Sequence, residues 1–431
     1  MTPPRSPRLS LCMIVRDEEA QLGDCLTSVA PWVDEMVVCD TGSSDGTVAL
    51  ATRLGARVVR AAWREDFAAA RNEAMAHATG DWVLSLDADE VLAADAGPRL
   101  RALASKMPSP IEPCIYQLRV RHHLDTRDPS QVTEQDFGRL FTRHPRLHWV
   151  GPIHEYVTWR AGAPGERLLV LHAAEVVVEH HGHAAGPRLT HDKAGRNIAL
   201  LRRAMAQAPQ DGYFAFKLAQ QQLERGHYAE AATLARGGID LALPRAELAH
   251  DWLGRAYVCL AAAYLAGEQI DAAAVACQQG LARLPTSASL AYQLGTARLL
   301  QGRLAEAEVA FAGALARASN RDTALDPDPG MTSWRPLLGL GAVAELQGNG
   351  EVAVERYQAA RQHAPCNSEA ALALAGALEG LARWPEAAAV LRDVLARRSA
   401  AGGEPSAADQ EVVARLAEAA AKANRGRQPG A

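Results

Sequence analysis

The N-terminal part of this 431-residue chain alternates short apolar segments with segments of helical periodicity. The apolar segments are typical of buried strands and occupy residues 9–15, 36–39, 57–60 and 82–86. The helical segments between them lie at residues 19–30, 47–54 and 67–78. Strands that alternate with helices predict parallel βαβ units, because parallel pairing needs a crossover that a helix usually supplies. We therefore expect an α/β domain with a parallel sheet at its centre.

Acidic side chains stand at the ends of three of these predicted strands. Asp17 follows the first strand, Asp40 follows the second, and Asp87 and Asp89 follow the fourth in the run DWVLSLDADE. Ligands of such sheets bind at the carboxyl ends of the strands, so these carboxylates are expected at one edge. A divalent cation such as Mg²⁺ or Mn²⁺ takes oxygen ligands, often one or two carboxylates plus substrate phosphates. The pattern therefore predicts Mg or Mn as a cofactor.

From about residue 190 the strand patterns give way to alanine-rich helices with an internal repeat. Its five copies are marked by Gly226, Gly267, Gly302, Gly348 and Ala382. The period is near that of tetratricopeptide (TPR) repeats, about 34 residues, and inserts such as residues 320–329 lengthen some intervals. These units bury their apolar faces only by stacking, so an α-helical solenoid with a concave surface is expected.

The composition indicates which kinds of partner and which cellular compartment to expect. The formal net charge is −5 and no basic stripe occurs, which argues against nucleic acid as a partner. The seven cysteines are scattered without a CxxC pair, which favours a reducing cytoplasm over a disulfide framework. No run approaches the roughly 18 apolar residues of a membrane span. Residues 1–8 lack the apolar centre of a secretion signal.

The N-terminal motifs resemble those of family 2 glycosyltransferases. The segments are LCMIVRDEE, CLTSVAPWVDEMVVCDTGSSDGTVALA and DFAAARNEAMAHATGDWVLSLDADE, in that order. The resemblance implies a Rossmann-like GT-A fold and an inverting transfer, of the hexosyltransferase class, from a nucleotide-diphospho-sugar. It is greatest to the branch in which the glycosyltransferase domain precedes TPR repeats. The expected fold class is thus α/β followed by an all-α solenoid.

The resemblance also suggests which residues bind the donor. Asp17 and Glu18 would touch the uridine, and Asp87 the ribose or a bridging water. Asp40 is placed to accept a hydrogen bond from the base or ribose, which favours a UDP-linked sugar. Arg71 would face the diphosphate or base. The alternative roles are structural: Asp40 as the N-cap of the next helix, and Arg71 in a surface ion pair with an acid of its own helix segment, Asp66 or Glu73.

Metal and catalytic residues are predicted in two places. Asp89 is expected to be the main metal ligand, with Asp87 beside it and His180 as a third ligand, although a structural role for His180 stays open. Inverting transfer needs a base on the acceptor side, and Glu155 is the candidate, with His154 as its orienter or alternative. The alternative for Glu155 is a structural acid paired with an arginine, Arg139 or Arg143.

The predicted organisation has four parts. They are a disordered N-terminus (1–8), a glycosyltransferase domain (9–185, divided at 97/98 into nucleotide-binding and acceptor halves), a TPR domain (190–400), and a C-terminal helix with a disordered tail (401–431). The TPR groove would recruit a peptide, protein or glycan acceptor. Two other functions stay open, namely an inactive TPR scaffold and a nucleotidyltransferase. The acidic, glycine-free Arg16–Glu19 stretch after the first strand argues against the nucleotidyltransferase.

Overall fold

The structure is a computed structural model that describes residues 6–105, 113–125, 128–160, 168–181, 191–245, 252–320, 326–401 and 406–425. Most of the predicted disordered N-terminus and the last residues of the predicted tail lie outside these ranges. Two compact units are present, one formed by residues 1–123 and 134–208 and the other by residues 124–133 and 209–431.

The first unit contains strands and helices in alternation, followed by a strand-rich segment. Its strands are β1 (Leu9–Val15), β2 (Glu35–Asp40), β3 (Arg57–Arg60), β4 (Trp82–Ser85), β5 (Glu90–Leu92), β6 (Cys114–His123), β7 (Val132–Thr142), β8 (Leu147–Val150), β9 (Tyr156–Trp159) and β10 (Leu169–His180). Its helices are α1 (Leu22–Val29), α2 (Thr47–Arg53), α3 (Phe67–Ala76), α4 (Ala96–Ser105) and α5 (His191–Gln207).

The main sheet is mixed, with the strand order β3-β2-β1-β4-β7-β6-β10-β5. Strand β1 pairs in parallel with β2 and with β4, and β2 pairs in parallel with β3. The predicted βαβ units are confirmed. Strand β7 then joins β4 in antiparallel register, with Leu140 opposite Leu84. Strand β5 pairs antiparallel with β10, which sets Glu90 opposite His180. Every residue of β1 except Ile14 is nearly inaccessible to solvent, as expected for a central strand.

The second unit is helical, and its helices pack as successive hairpins. They are α6 (Gly212–Glu224), α7 (Tyr228–Ala242), α8 (Leu253–Ala266), α9 (Ile270–Arg283), α10 (Ala288–Leu300), α11 (Leu304–Ala316), α12 (Trp334–Leu346), α13 (Gly350–His363), α14 (Ser368–Gly380), α15 (Trp384–Ala400) and α16 (Ala407–Arg425). The predicted fold class, an α/β domain followed by a TPR solenoid, is confirmed. Among the described helices, none combines the length and apolar character that a bilayer crossing needs.

Each of the five hairpins turns at a residue in the left-handed region. Four of these residues are the predicted repeat markers Gly226, Gly302, Gly348 and Ala382. In the second copy the left-handed residue is Glu268, with φ 59°, and not the predicted Gly267. The sequence placed this copy one residue too early because glycine is the usual left-handed residue. The corrected distance from Glu268 to Gly302 matches the TPR period of about 34 residues.

Small residues let the paired helices approach closely. A Cβ added at Gly341 in α12 would clash with the ring of Tyr357 in α13, a side chain that is 3% exposed. Gly237, an exposed residue inside α7, has no neighbouring atom within 4 Å of an added Cβ. Gly341 is in close contact with a neighbouring helix, and Gly237 is not. Alanine substitutions at the two positions therefore separate the effect of helix packing from that of helix propensity.

We predict opposite effects for the two alanine substitutions. Gly341→Ala should destabilise the repeat unit by about 1–3 kcal/mol, because the ring of Tyr357 must move. Gly237→Ala should stabilise it by about 0.5–1 kcal/mol, because alanine is the better helix former. The urea midpoint of the full chain, followed by helical circular dichroism, measures both. A Gly341→Ala midpoint at or above that of the wild type would contradict the packing described here.

Candidate active site

The loops that follow β1 and β2 are bonded to each other at the carboxyl edge of the sheet. Asp17, in the left-handed region with φ 55°, accepts hydrogen bonds from Ser44 N at 2.7 Å and Ser44 Oγ at 3.0 Å. These bonds lower the pKa of Asp17. Glu18 N donates to Thr47 Oγ1 at 2.8 Å. The predicted donor-binding residues Asp17 and Glu18 therefore lie on a rigid pair of loops.

Asp40 lies at the end of β2 and is 5% exposed. Its Oδ1 accepts a hydrogen bond from Ser43 N at 3.0 Å, which closes the turn after the strand. Helix α2 begins later, and Asp45 Oδ1 accepts from Thr47 N at 3.0 Å at its start. Asp40 thus stabilises a turn and is not the helix cap that was its alternative role.

Arg71, on α3, is buried at the centre of the site with 6% exposure. Its Nη2 donates to Asp87 Oδ1 at 2.5 Å, and its Nε donates to Glu155 Oε1 at 2.5 Å. Its Nη1 donates to Ser85 Oγ at 3.0 Å. The guanidinium also lies 4.8 Å from the centroid of the Trp149 ring. Arg71 is therefore an internal organiser of the site, in place of a surface ion pair with Asp66 or Glu73.

Arg139, on β7, provides a second buried guanidinium. Its Nη2 lies 3.0 Å from Asp87 Oδ2 and makes a short contact with Glu90 Oε1. Arg139 reaches Asp87 because β7 pairs with β4, the strand that precedes the acidic turn. We call Arg71, Arg139, Asp87, Glu90 and Glu155 the arginine network.

The pKa values of Asp87 and Glu90, the two acids that contact Arg139, shift in opposite directions. Burial opposes the ionisation of Asp87, but the guanidiniums of Arg71 and Arg139 outweigh it and lower the pKa of Asp87. Glu90 is 1% exposed, and burial together with the nearby charge of Asp87 raises the pKa of Glu90 to about 7, against the attraction of Arg139. Adjacent carboxylates commonly separate in this way.

Asp89 and His180 form a pair beside the arginine network. His180 Nε2 lies 3.0 Å from Asp89 Oδ2, and His180 Nδ1 lies 2.7 Å from His122 Nδ1. Burial works against protonation of His180, but its hydrogen bond with Asp89 and the charges of Asp89, Glu90 and Asp87 raise the pKa of His180. The pairing of β10 with β5 and β6 brings these side chains together.

The Gly-x-x-His-Glu element forms a tight turn between β8 and β9. Gly151 and His154 both occupy the left-handed region, with φ 97° and 52°. This turn presents Glu155, whose side chain is 11% exposed, to Arg71. Glu155 is thus paired with an arginine, as its alternative structural role predicts, but that arginine is Arg71 and not Arg139 or Arg143. His154 neighbours Glu155 in the chain.

The donor set at Asp89 and His180 suits a divalent cation. A carboxylate and an imidazole are both ligands that Mn²⁺ accepts, and a hydrogen bond from His180 Nδ1 to His122 would orient the ring. Both oxygens of Asp87 accept hydrogen bonds from arginines, and its role as a metal ligand beside Asp89 stays a prediction. No group of three His, Cys, Asp or Glu side chains arranged around a metal position occurs among the described residues. Substrate phosphates would complete such a site.

Several residues of the site were not recognised in the sequence. Arg139 was considered only as a partner of Glu155, and Glu90, Ser85, Trp149 and His122 were given no role in binding. Arg139, Trp149 and His122 come from distant parts of the chain, and no local spacing in the sequence reveals those contacts. The one available signal was the presence of a third acid, Glu90, beside Asp87 and Asp89 in the run DWVLSLDADE.

Comparisons with known proteins agree with this geometry. Residues 10–133 match the family model described as Glycosyl transferase family 2. The chain carries a family 2 glycosyltransferase domain. The match ends before Arg139, Glu155 and His180, so the second half of the site lies outside the segment that the family model covers.

Individual known proteins are similar to parts of this chain. A TPR repeat-containing protein of Synechococcus elongatus is 34% identical over 256 residues, which are 57% of this chain and 60% of that protein. An uncharacterized glycosyltransferase of Rickettsia felis is 36% identical over 85 residues, which are 20% of this chain and 30% of that protein. The crystal structure of yeast Tom70 aligns with a TM-score of 0.42 and 12% identity, over 56% of this chain and 45% of Tom70. The chain therefore spans less than two thirds of the length of these relatives.

The ionisation of Glu90 predicts a pH effect on stability. A carboxyl with a raised pKa holds its proton more tightly in the folded state, so its contribution is present below its ordinary value of 4.5 and is lost as the pH rises towards 7. Relative to Glu90→Gln, the wild type should lose roughly 1–3 kcal/mol across this window. Urea midpoints at a series of pH values measure the difference.

Asp95→Asn is the control for this titration. Asp95 lies on the same α/β unit, and its side chain is 69% exposed. Its replacement should leave the pH profile of the wild type unchanged. Parallel profiles for the wild type and Glu90→Gln across the window would show that Glu90 is ionised throughout, contrary to the assignment.

Proposed function

We propose that this chain transfers a sugar, with inversion, from a UDP-linked donor to an acceptor hydroxyl or side chain that the TPR repeats recruit. The observation that carries the proposal is the Asp89–His180 pair beside an arginine-clamped Asp87 at the carboxyl edge of the sheet. Arg71 and Arg139 hold Asp87 in place, so the acidic turn would keep one fixed geometry when a nucleotide diphosphate binds. The match to family 2 supports the same reaction class.

The donor nucleotide would bind along the loops after β1 and β2. Asp40 is buried and keeps Oδ2 as an acceptor, which suits the imide N–H of uracil. Asp17 and Glu18 border the same edge on loops whose backbone is held by Ser43, Ser44 and Thr47. Because these loops are already held in place, little conformational entropy is lost when the donor binds.

Asp89 and His180 would hold the divalent cation. The cation supplies electrostatic stabilisation for the charge that develops on the leaving nucleotide diphosphate. The arginine network holds the turn that carries Asp89 in place. Asp87 and Glu90 both lie within this turn, and both contact Arg139. The protein would thus position the two ligands, Asp89 and His180, and hold the acidic turn in one conformation.

Glu155 would accept the proton of the acceptor. Its Oε1 is fixed by Arg71 Nε, which leaves Oε2 to act as the base. An inverting displacement needs this base on the face of the sugar opposite to the diphosphate. Arg71 then has two tasks, since it orients the base and also bonds to Asp87 on the donor side. His154 directs the turn that carries Glu155.

A reducing compartment suits this chemistry and this chain. All seven cysteines are free thiols, and six of them are buried. Burial raises the pKa of Cys12 to about 12 and of Cys39 to about 11, so these thiols behave as small apolar side chains. We place the enzyme in the cytoplasm on this basis.

Replacing Asp89 tests the metal role. Asp89→Asn should lower nucleotide release from a UDP-sugar by about two to three orders of magnitude, because one preorganised electrostatic contact is lost. EDTA should lower wild-type turnover to a similar extent. Asp95→Asn is the matched control, since the side chain of Asp95 is 69% exposed and pairs with Arg99. An Asp89→Asn enzyme that keeps wild-type turnover, with or without EDTA, would remove the cation from the mechanism.

Replacing Asp40 tests nucleotide selection. Asp40→Asn keeps the size of the side chain but offers N–H donors where an acceptor is needed. The KM for the UDP-sugar should rise about tenfold, with a smaller change in kcat. Asp24→Asn, an exposed position on α1, should leave both constants unchanged. The assignment fails if Asp40→Asn leaves the KM at the wild-type value in a panel of UDP- and GDP-sugars.

A further inference from the structure

The hairpin that carries Glu155 is a small sheet of its own. Strands β8 and β9 form a two-stranded antiparallel sheet, with Leu147 opposite Trp159. A two-stranded sheet is marginally stable by itself in water, so neighbouring elements must hold it. The turn between the two strands also contains His154 in the left-handed region, where a non-glycine residue needs support from its surroundings. The position of Glu155 therefore depends on what fixes this hairpin.

Asn72, which follows Arg71 on α3, binds the main chain of β8 at two points. Its Oδ1 accepts a hydrogen bond from Trp149 N at 2.9 Å, and its Nδ2 donates to Trp149 O at 3.0 Å. Trp149 is 6% exposed, and a buried main-chain group that lacks a partner is costly. A side-chain amide offers both a donor and an acceptor. Asn72 thus bonds to β8 as the main chain of a neighbouring strand would.

Helix α3 holds the same hairpin at other points. Phe67 N, at the start of the helix, donates to Pro152 O at 3.1 Å, inside the turn. The guanidinium of Arg71 lies 4.8 Å from the centroid of the Trp149 ring, and its Nε donates to Glu155 Oε1 at 2.5 Å. The helix is therefore bonded to the strand before the turn, to the turn itself and to the residue that ends it.

We propose that Asn72 is a positioning residue for Glu155, the proposed base. By holding the main chain of β8 against α3, Asn72 fixes the turn from which Glu155 reaches Arg71. Misplacing a reacting group by about 1 Å can lower a rate about 100-fold, even when the change lies far from the reaction. The inference deepens the proposed function, and it rests on that function for the role of Glu155 as the base.

Hydrogen exchange of the full chain tests the positioning itself. Mass spectrometry of peptides that span residues 147–159 measures the exchange of the hairpin amides. Asn72→Ala should speed exchange in this segment about tenfold or more, because the hairpin opens more often without its anchor. Peptides from β1 should keep their wild-type rates. Unchanged exchange of the hairpin in Asn72→Ala would overturn the proposal.

Glu73→Gln is the matched control for this measurement. Glu73 is the next residue of α3, and its side chain is 52% exposed. Its replacement should leave the exchange of the hairpin at the wild-type rate. Faster exchange in both variants would show that any change in α3 loosens the hairpin, and it would contradict a specific role for Asn72.

A reaction with azide separates a misplaced base from a general loss of activity. Azide carries no proton, so its nitrogen can bond to the anomeric carbon without a base. The bond from that carbon to the diphosphate oxygen breaks at the same time, and its electron pair leaves with UDP. Transfer to water, in contrast, needs a base that takes a proton from the water. Loss of the base should therefore slow the reaction with water and spare the reaction with azide.

UDP release by the full chain with Mg²⁺ measures both reactions. The donor is the UDP-sugar that the wild type hydrolyses fastest in a panel. Asn72→Ala should lower the kcat for water about 10–100-fold, while the azide-dependent rate and the KM for the donor stay near their wild-type values. Glu155→Gln should give the same pattern, because both changes remove the base from its working position.

Asn72→Asp is the second variant, in case the alanine variant folds poorly. It keeps the size of the side chain and the acceptor for Trp149 N, and it loses the donor to Trp149 O. It should also slow the reaction with water more than the reaction with azide. Equal losses in the two reactions would mean that Asn72 has a structural role alone, and unchanged hydrolysis would overturn the proposal.

Failure of the proposed function gives a different result. A wild type that releases UDP from no donor of the panel would contradict sugar transfer as the function of the chain. The hydrogen exchange of residues 147–159 would still decide whether Asn72 fixes the hairpin. A wild type that hydrolyses a donor, together with an Asn72→Ala variant of unchanged exchange and unchanged hydrolysis, would refute the role of Asn72 alone.

Discussion

The geometry of the site depends on one buried side chain, Arg71. Its three guanidinium nitrogens each donate a hydrogen bond, to Asp87, Glu155 and Ser85. A buried guanidinium without these partners would be strongly destabilising, and the carboxylates without Arg71 would repel each other. Arg71 therefore joins the acidic turn after β4 to the turn before β9.

Arg139 extends this arrangement and makes the two acids beside it unequal. Asp87 lies between two guanidiniums and is held ionised, whereas the pKa of buried Glu90 rises to about 7. Because the pKa of one acid is lowered and that of the other is raised, the site holds several carboxyl groups without the full repulsion between negative charges. In the proposed mechanism Asp89, which is bonded to His180, is the acid that meets the cation.

The sequence predicted the local parts of this structure and missed the non-local ones. Strand β1 and the strand at Arg57–Arg60 have their predicted bounds, since a continuous apolar run and flanking polar residues define them. The acids of the edge were found because each directly follows a strand. Arg139 was not recognised, because an antiparallel pairing of β7 with β4 brings it to the acidic turn from far along the chain. The second repeat was misplaced by one residue, because Glu268 takes the left-handed turn position that glycine usually fills.

The central claim is that nucleotide and divalent cation meet at Asp89 and His180. Electron paramagnetic resonance of Mn²⁺ tests it most directly, because the sharp signal of the free aqueous ion broadens when the ion is bound. The account predicts that the free-ion signal disappears stoichiometrically when the protein and UDP are both present, and persists with either one alone. A free-ion signal that is unaffected by the protein and UDP together would contradict the account.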